Sequence, residues 1–188
     1  MKKIWLICTV ILLSACSFRS PQSQFYVMNS TGLNSLSDKK ISVAVSRVKV
    51  PDILDKSQMV VYDKDSAEVQ ILEFQRWAEV FPDVIQTTVT NDLIAYLPNA
   101  YVKRTYFNDD SLQYSVNVEI NRLEAYEDYK VVLSVWWSIC DSKGRVLRRE
   151  QRTYTALTKD SGVSALVDAQ TDTVHQMSRD IAENLLVL

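Results

Sequence analysis

The chain has 188 residues, 47% of them hydrophobic and 23% charged, with three glycines, four prolines and a formal net charge of −2. That is enough chain for one domain with a sizeable core, and the sparse glycine and proline argue against a disordered or low-complexity protein. The mild acidic balance argues against nucleic acid as a partner and against adhesion to anionic lipid through a basic patch.

The first residues carry an address. Lys2 and Lys3 precede an apolar run from Ile4 to Leu13, which Leu13-Ser14-Ala15-Cys16 closes. A basic head, a short apolar run and small residues before a cysteine make a secretory signal of the lipoprotein type. The run spans 10 residues, about half of what crossing the hydrocarbon core requires. Residues 1–15 are therefore expected to be removed, leaving Cys16 first in the chain with acyl groups on its thiol and amine. One acyl chain holds weakly, whereas two or more anchor stably. Residues 17–24 are polar and suit a tether. Fully extended at about 3.4 Å per residue, they reach some 27 Å, which keeps the domain near its membrane. Sorting in two-membrane bacteria resembles a rule in which aspartate after the cysteine retains the protein at the inner membrane. Ser17 stands there, which implies the outer membrane. Cys8 leaves with the signal and Cys16 is acylated, so Cys140 has no partner for an internal disulfide.

Beyond the tether, residues 25–28 read as a short strand. From Ile41 to Val50 the residues alternate at period two, as a half-buried strand does, until Pro51 removes the amide proton a ladder needs. Residues 58–62 and 68–72 read as two further strands around a polar turn. A first helix is expected over residues 82–97, with Ile85, Val89, Leu93 and Tyr96-Leu97 at helical spacing and Pro82 in the first turn. Residues 101–107 then read as a strand, followed by a turn at Asn108-Asp109-Asp110-Ser111.

The strongest β signals follow. Tyr114, Val116, Val118 and Ile120 alternate with polar residues, as do Val131, Leu133, Val135, Trp137 and Ile139. Asp141-Ser142-Lys143-Gly144 supplies a hairpin turn, and residues 145–157 return as a strand. The three make an antiparallel meander whose register the alternation sets. A last helix is expected from Ser161 to Leu186, with Val163, Leu166, Val167, Val174, Met177, Ile181 and Leu185 as its buried stripe. The fold class is thus α+β: a single domain with a mostly antiparallel mixed sheet of about seven strands and two amphipathic helices packed on it.

Signals for catalysis are weak. His175 is the only histidine, and its place on the final helix suits a solvated or boundary position. No Gly-x-Ser-x-Gly elbow exists to expose a serine nucleophile. Cys140 with His175 falls short of a zinc ligand set, and three scattered glycines cannot form a phosphate cradle. Neither an enzyme, a cofactor nor a metal is expected. The aromatics say more. Trp136 and Trp137 are adjacent on one strand and must point to opposite faces. Trp137 joins the core with Val135 and Ile139. Trp136 shares its face with Val132, Ser134, Ser138 and Cys140, where small residues leave room for a covering helix. The alternative is an exposed apolar platform for a partner or lipid.

Val48-Lys49-Val50-Pro51-Asp52-Ile53-Leu54-Asp55, followed by Gln58-Met59-Val60, resembles the strand, proline and leucine-aspartate segment of the ABC-type transport auxiliary lipoprotein family. Phe74-Gln75-Arg76-Trp77-Ala78-Glu79 is similar to that family's tryptophan-alanine-glutamate motif, placed before the first helix. With the lipobox and the Phe25-Tyr26 strand, the resemblance covers essentially the whole mature chain, so residues 25–188 form one auxiliary domain. It implies a non-catalytic outer-membrane subunit of an intermembrane lipid-transport complex. The implied partners are an MCE-domain protein of the PqiB type and an integral inner-membrane protein. The oligomeric MCE proteins suggest self-association of this chain as well. A periplasmic lipid-binding carrier and an assembly lipoprotein for outer-membrane proteins or lipopolysaccharide are the alternatives. Candidate partner-binding residues are Pro51, Leu54, Arg76, Trp77, Glu79 and Trp136. Arg76, Trp77 and Glu79 are expected in a strand-to-helix loop, where Trp77 would plug the core and Glu79 would favour the helix N-terminus. Pro51 to Leu54 is either a structural turn or a docking edge.

Overall fold

A computed structural model describes residues 21–105 and 111–188. The signal, Cys16 and residues 106–110 of the expected strand and turn lie outside the described residues.

Period-two alternation builds one eight-stranded sheet. In chain order its strands are β1 (Gln24–Tyr26), β2 (Ser42–Ser46), β3 (Gln58–Tyr62), β4 (Val69–Trp77), β5 (Tyr101–Thr105), β6 (Tyr114–Tyr126), β7 (Lys130–Asp141) and β8 (Val146–Leu157). Helix α1 (Phe81–Tyr96) lies between β4 and β5, and α2 (Val163–Leu186) ends the chain. The expected meander is present: β6, β7 and β8 pair antiparallel along nearly their full lengths. The remaining strands pair in mixed senses. β3 joins β4 antiparallel, while β1–β4, β2–β5, β2–β6 and β3–β6 are parallel. The long β6 is the trunk, taking β7 on one edge and, in succession, β2 and β3 on the other.

Several boundaries differ from those expected. The alternating run from Ile41 divides into β2 and a second contact, in which the Lys49 amide donates to the Val118 carbonyl at 3.0 Å and the Ile120 amide donates to the Lys49 carbonyl at 2.8 Å. β4 runs on to Trp77, so Arg76 and Trp77 belong to a strand and not to a loop. Its extension is possible because the register with β3 jumps: Met59 faces Leu72 but Gln58 faces Arg76. Arg76 clips this bulge, donating from Nε to the Glu73 carbonyl at 2.8 Å and pairing with the Glu73 carboxylate at 2.6 Å. The residue before α2 is Gly162, at φ 88°, rather than Ser161. A side chain is disfavoured at that angle, which suits glycine.

Both helices pack on the face of the sheet that bears Val131, Leu133, Val135, Trp137 and Ile139, all buried. Tyr154 of β8 receives a hydrogen bond from Trp137 Nε1 at 3.3 Å and donates to Asp180 of α2 at 2.8 Å. Burial holds the Tyr154 hydroxyl well above the usual tyrosine range, and the neighbouring Asp180 carboxylate adds to the effect. α2 buries its expected stripe of Leu166, Val174, Met177, Ile181 and Leu185. α1 is buried around more of its circumference, because the sheet lies on one side and α2 on another. Several of its polar side chains bond locally or to the sheet. Thr88 and Thr90 donate to carbonyls four residues back. Gln86, fully buried, donates to the Val45 and Thr105 carbonyls at 2.9 Å each, tying α1 to β2 and β5.

The two adjacent tryptophans separate the faces, since Trp137 is 1% exposed and Trp136 is 38% exposed. Trp137→Ala is expected to cost about 3–5 kcal/mol in urea unfolding, as for a buried aromatic truncated in a packed core. Trp136→Ala should cost less than about 1 kcal/mol in the same measurement.

Candidate functional site

No helix among the described residues covers the face that carries Trp136, so the covering helix expected from its small neighbours is absent. Strand register arranges this face in rows. Lys49 bridges to Glu119, Glu119 faces Trp136, and Trp136 faces Gln151. In the next row Asn117 faces Ser138, which faces Arg149. Small Asn117 and Ser138 sit low between taller neighbours, and the result is a trough of about 260 Å³. Arg47 and Lys49 form one bank, Trp136 and Arg149 the other. The Arg149 guanidinium lies 5.8 Å from the Trp136 ring centroid, a cation–π arrangement that holds the indole in place. Three cations therefore border the trough against one carboxylate, Glu119. Cys140, buried at the same face, receives the Asn117 amide at 3.6 Å.

The two segments that carry the family resemblance meet beside this trough. After Pro51 the chain forms a 3-10 turn, Asp52–Leu54, whose Leu54 amide donates to the Pro51 carbonyl at 2.8 Å. The turn leads into residues 55–57, which dock against the end of β4. The Trp77 amide donates to the Ser57 carbonyl at 2.7 Å, and the Phe81 amide to the Lys56 carbonyl at 3.0 Å. The second of these satisfies one of the free amides at the start of α1. Trp77 stacks tilted on Phe81 with centroids 5.7 Å apart. Arg47 spans from Asp55, at 3.9 Å, to Asp83 in the first turn of α1, at 3.7 Å. Arg47 thus belongs both to this clasp and to the bank of the trough.

The six candidate partner-binding residues accordingly divide. Leu54 and Trp77 are core residues and cannot present themselves to a partner. Arg76 closes the β4 bulge. Glu79 faces Arg104 of β5 at 3.9 Å, an ion pair between half-exposed groups. Pro51 opens the turn beside the trough, and Trp136 forms its wall. Arg47, Lys49 and Arg149 were absent from the sequence-based set, because only register brings them to one place. The alternation itself placed Arg149 and Trp136 in neighbouring strands, but not their meeting with Lys49.

A second polar arrangement lies between the helices. Asp92 of α1 has no exposed side-chain surface, and its Oδ2 is 2.8 Å from His175 Nδ1 on α2. His175 Nε2 is 3.2 Å from the Asn29 carbonyl, just after β1. A carboxylate and a carbonyl both accept, so His175 makes both bonds only when both ring nitrogens carry hydrogen. Burial works against that charge, yet the Asp92 hydrogen bond and charge outweigh it and raise the His175 pKa above its usual 6.5. His175 is a boundary residue, and it acts as a half-buried rivet joining α1, α2 and the entering chain.

The sheet thus carries helices on one face and a cationic trough edged by an indole on the other. The chain belongs to the ABC-type transport auxiliary lipoprotein family, whose model matches residues 28–182. No curated protein matches the chain. Among solved structures, an uncharacterised protein is similar over 88% of this chain and 99% of its own, with a TM-score of 0.72 at 21% identity. A Xanthomonas campestris protein is similar over 88% of this chain and 95% of its own, with the same TM-score at 14% identity. At such identities these two likenesses establish the fold.

Removing His175 leaves Asp92 buried without its partner. His175→Ala is expected to cost about 3–5 kcal/mol in denaturant unfolding near pH 6, as for a broken buried pair. Because the folded pKa lies above the unfolded one, His175 stabilises fully below about pH 6.5, and its contribution fades as pH rises through the folded value. The difference between wild type and His175→Ala should therefore narrow in alkaline buffer.

Proposed function

We propose that the protein is a non-catalytic outer-membrane lipoprotein of an MCE-type intermembrane lipid-transport complex, and that within its family it is a PqiC-like membrane-integrity lipoprotein. Acyl chains on Cys16 anchor it, with residues 16–24 as the anchored cysteine and tether and residues 25–188 as the auxiliary domain. The domain faces the periplasm. It docks an MCE-domain protein of the PqiB type, which links it to an integral inner-membrane partner. Membership of a transport auxiliary lipoprotein family, matched over residues 28–182, is the observation that carries this reading.

The docking surface in this reading is the trough on the open face of the sheet. The trough between Lys49 and Arg149 is edged by an indole, and Lys49 lies two residues before Pro51. Tryptophan and arginine are among the residues enriched at the hot spots of protein–protein interfaces. Long alternating strands hold these side chains rigidly, so a partner meets a prepared surface rather than a mobile loop. Self-association of the domain is part of the proposal, and the mass of the delipidated chain alone and with its partner tests it.

Two measurements test the whole. Cys16→Ser should move the protein from the membrane fraction to the soluble periplasmic fraction, and a bare Cys16 thiol in the processed wild type overturns the anchor. Photocrosslinking from a probe at position 151, beside Trp136, should capture the MCE-domain protein. Trp136→Ala with Arg149→Glu should reduce that capture at least about tenfold, with unfolding midpoints close to wild type. Capture of an outer-membrane assembly factor in its place overturns the transport reading.

A further inference from the structure

Exposed apolar side chains gather where the described chain begins. Phe25 of β1 is 65% exposed and Phe74 of β4 is 37% exposed, with Val27 and Ile71 also open to solvent. Register explains why they are displayed. Phe25 faces Arg76 while Tyr26 faces buried Trp77, so Phe25 points away from the core. Phe74 lies two residues before Arg76, within the β4 bulge, and is exposed there. β1 is the outermost strand and is three residues long, so nothing further in the sheet covers it. Arg76 is occupied by Glu73, which leaves the two phenyl rings beside a neutralised pair.

We propose that this edge rests on the bilayer, with Phe25 and Phe74 seated in the interfacial layer of the membrane that holds the chain. The proposal rests on the Cys16 anchor proposed above. Position decides the occupant. The seven residues from 17 to 23 link Cys16 to β1, and the step from Cys16 to Gln24 spans at most about 27 Å. The β1–β4 edge is thus the part of the fold held closest to lipid. A second copy is the less suitable occupant, because a stable protein interface takes about 20–30 residues a side. A few apolar side chains on a short edge strand match the scale of interfacial seating, in which burial adds to an acyl anchor. Such seating also orients the domain, since two points of attachment restrict rotation about a flexible tether.

The test uses the full lipidated chain on phosphatidylethanolamine–phosphatidylglycerol vesicles with and without brominated acyl chains. Phe25→Trp and Phe74→Trp each add an indole at the edge, and Ile94→Trp adds one on the exposed side of α1. Bromine should quench roughly half or more of the emission added at positions 25 and 74, and little of that added at 94. Equal quenching at all three sites, or none at 25 and 74 on floated vesicles, overturns the proposal. So does a fall in oligomeric mass with Phe25→Glu alongside unquenched indoles, which assigns the edge to a second copy. Flotation reports separately on the anchor. If the wild-type chain does not float, the anchor reading fails. The same tryptophan variants, held on nickel-chelating vesicles by a hexahistidine tag replacing residues 1–16, then decide the edge by the same quenching contrast.

Discussion

Burial of a single face of the sheet is the constraint on which the molecule depends. Trp137, Leu133, Val135 and Ile139 must be covered, and α2 covers them while α1 packs over β2 and β5. Side chains alternate across a strand, so every residue committed to that core sends its neighbour to the opposite face. Trp136, Asn117, Ser138 and Arg149 are consequences of this alternation. A one-residue slip would bury the arginines and expose the core, so the hydrophobic pattern guards the outer face as strictly as the inner one.

The helices are fastened as well as packed. Tyr154 links Trp137 to Asp180, Gln86 binds carbonyls of β2 and β5, and His175 joins Asp92 to the chain that follows β1. Buried polar groups of this kind are costly when unpaired and directional when paired. They set which way α1 and α2 lie on an apolar surface that would otherwise tolerate sliding. The clasp between the Pro51 turn and the Trp77–Phe81 pair does the same at the entry to α1. It explains why two short sequence motifs some 25 residues apart accompany one another: they are two halves of one joint.

Function then divides by location. The proposed anchor is at Cys16, the apolar edge lies at β1 and β4, and the cationic trough lies on β6 to β8 with Arg47 and Lys49. The proposed adaptor role, with lipid at one place and a protein at another, calls for a stiff body between them. Long antiparallel ladders backed by two helices provide such a body, and the short three-residue β1 keeps its edge from recruiting further strands.

The sequence by itself determined the antiparallel meander, the two helices and the burial of Trp137, because these signals lie in neighbouring residues at period 2 or 3.6. It also carried the family resemblance, which the family model bears out. Tertiary structure alone decided the parallel pairings of β2 and β3 with β6, since parallel partners come from distant segments and leave no local turn signal. It decided that Arg76 and Trp77 complete a strand, because a bulge clipped by Glu73 is a matter of register. It decided that no helix covers Trp136 and that Lys49 and Arg149 flank the same trough. Asp92 reads as an ordinary polar helix residue until α2 brings His175 against it. Periodicity tells a residue which face it occupies, but only the packed chain supplies what stands opposite.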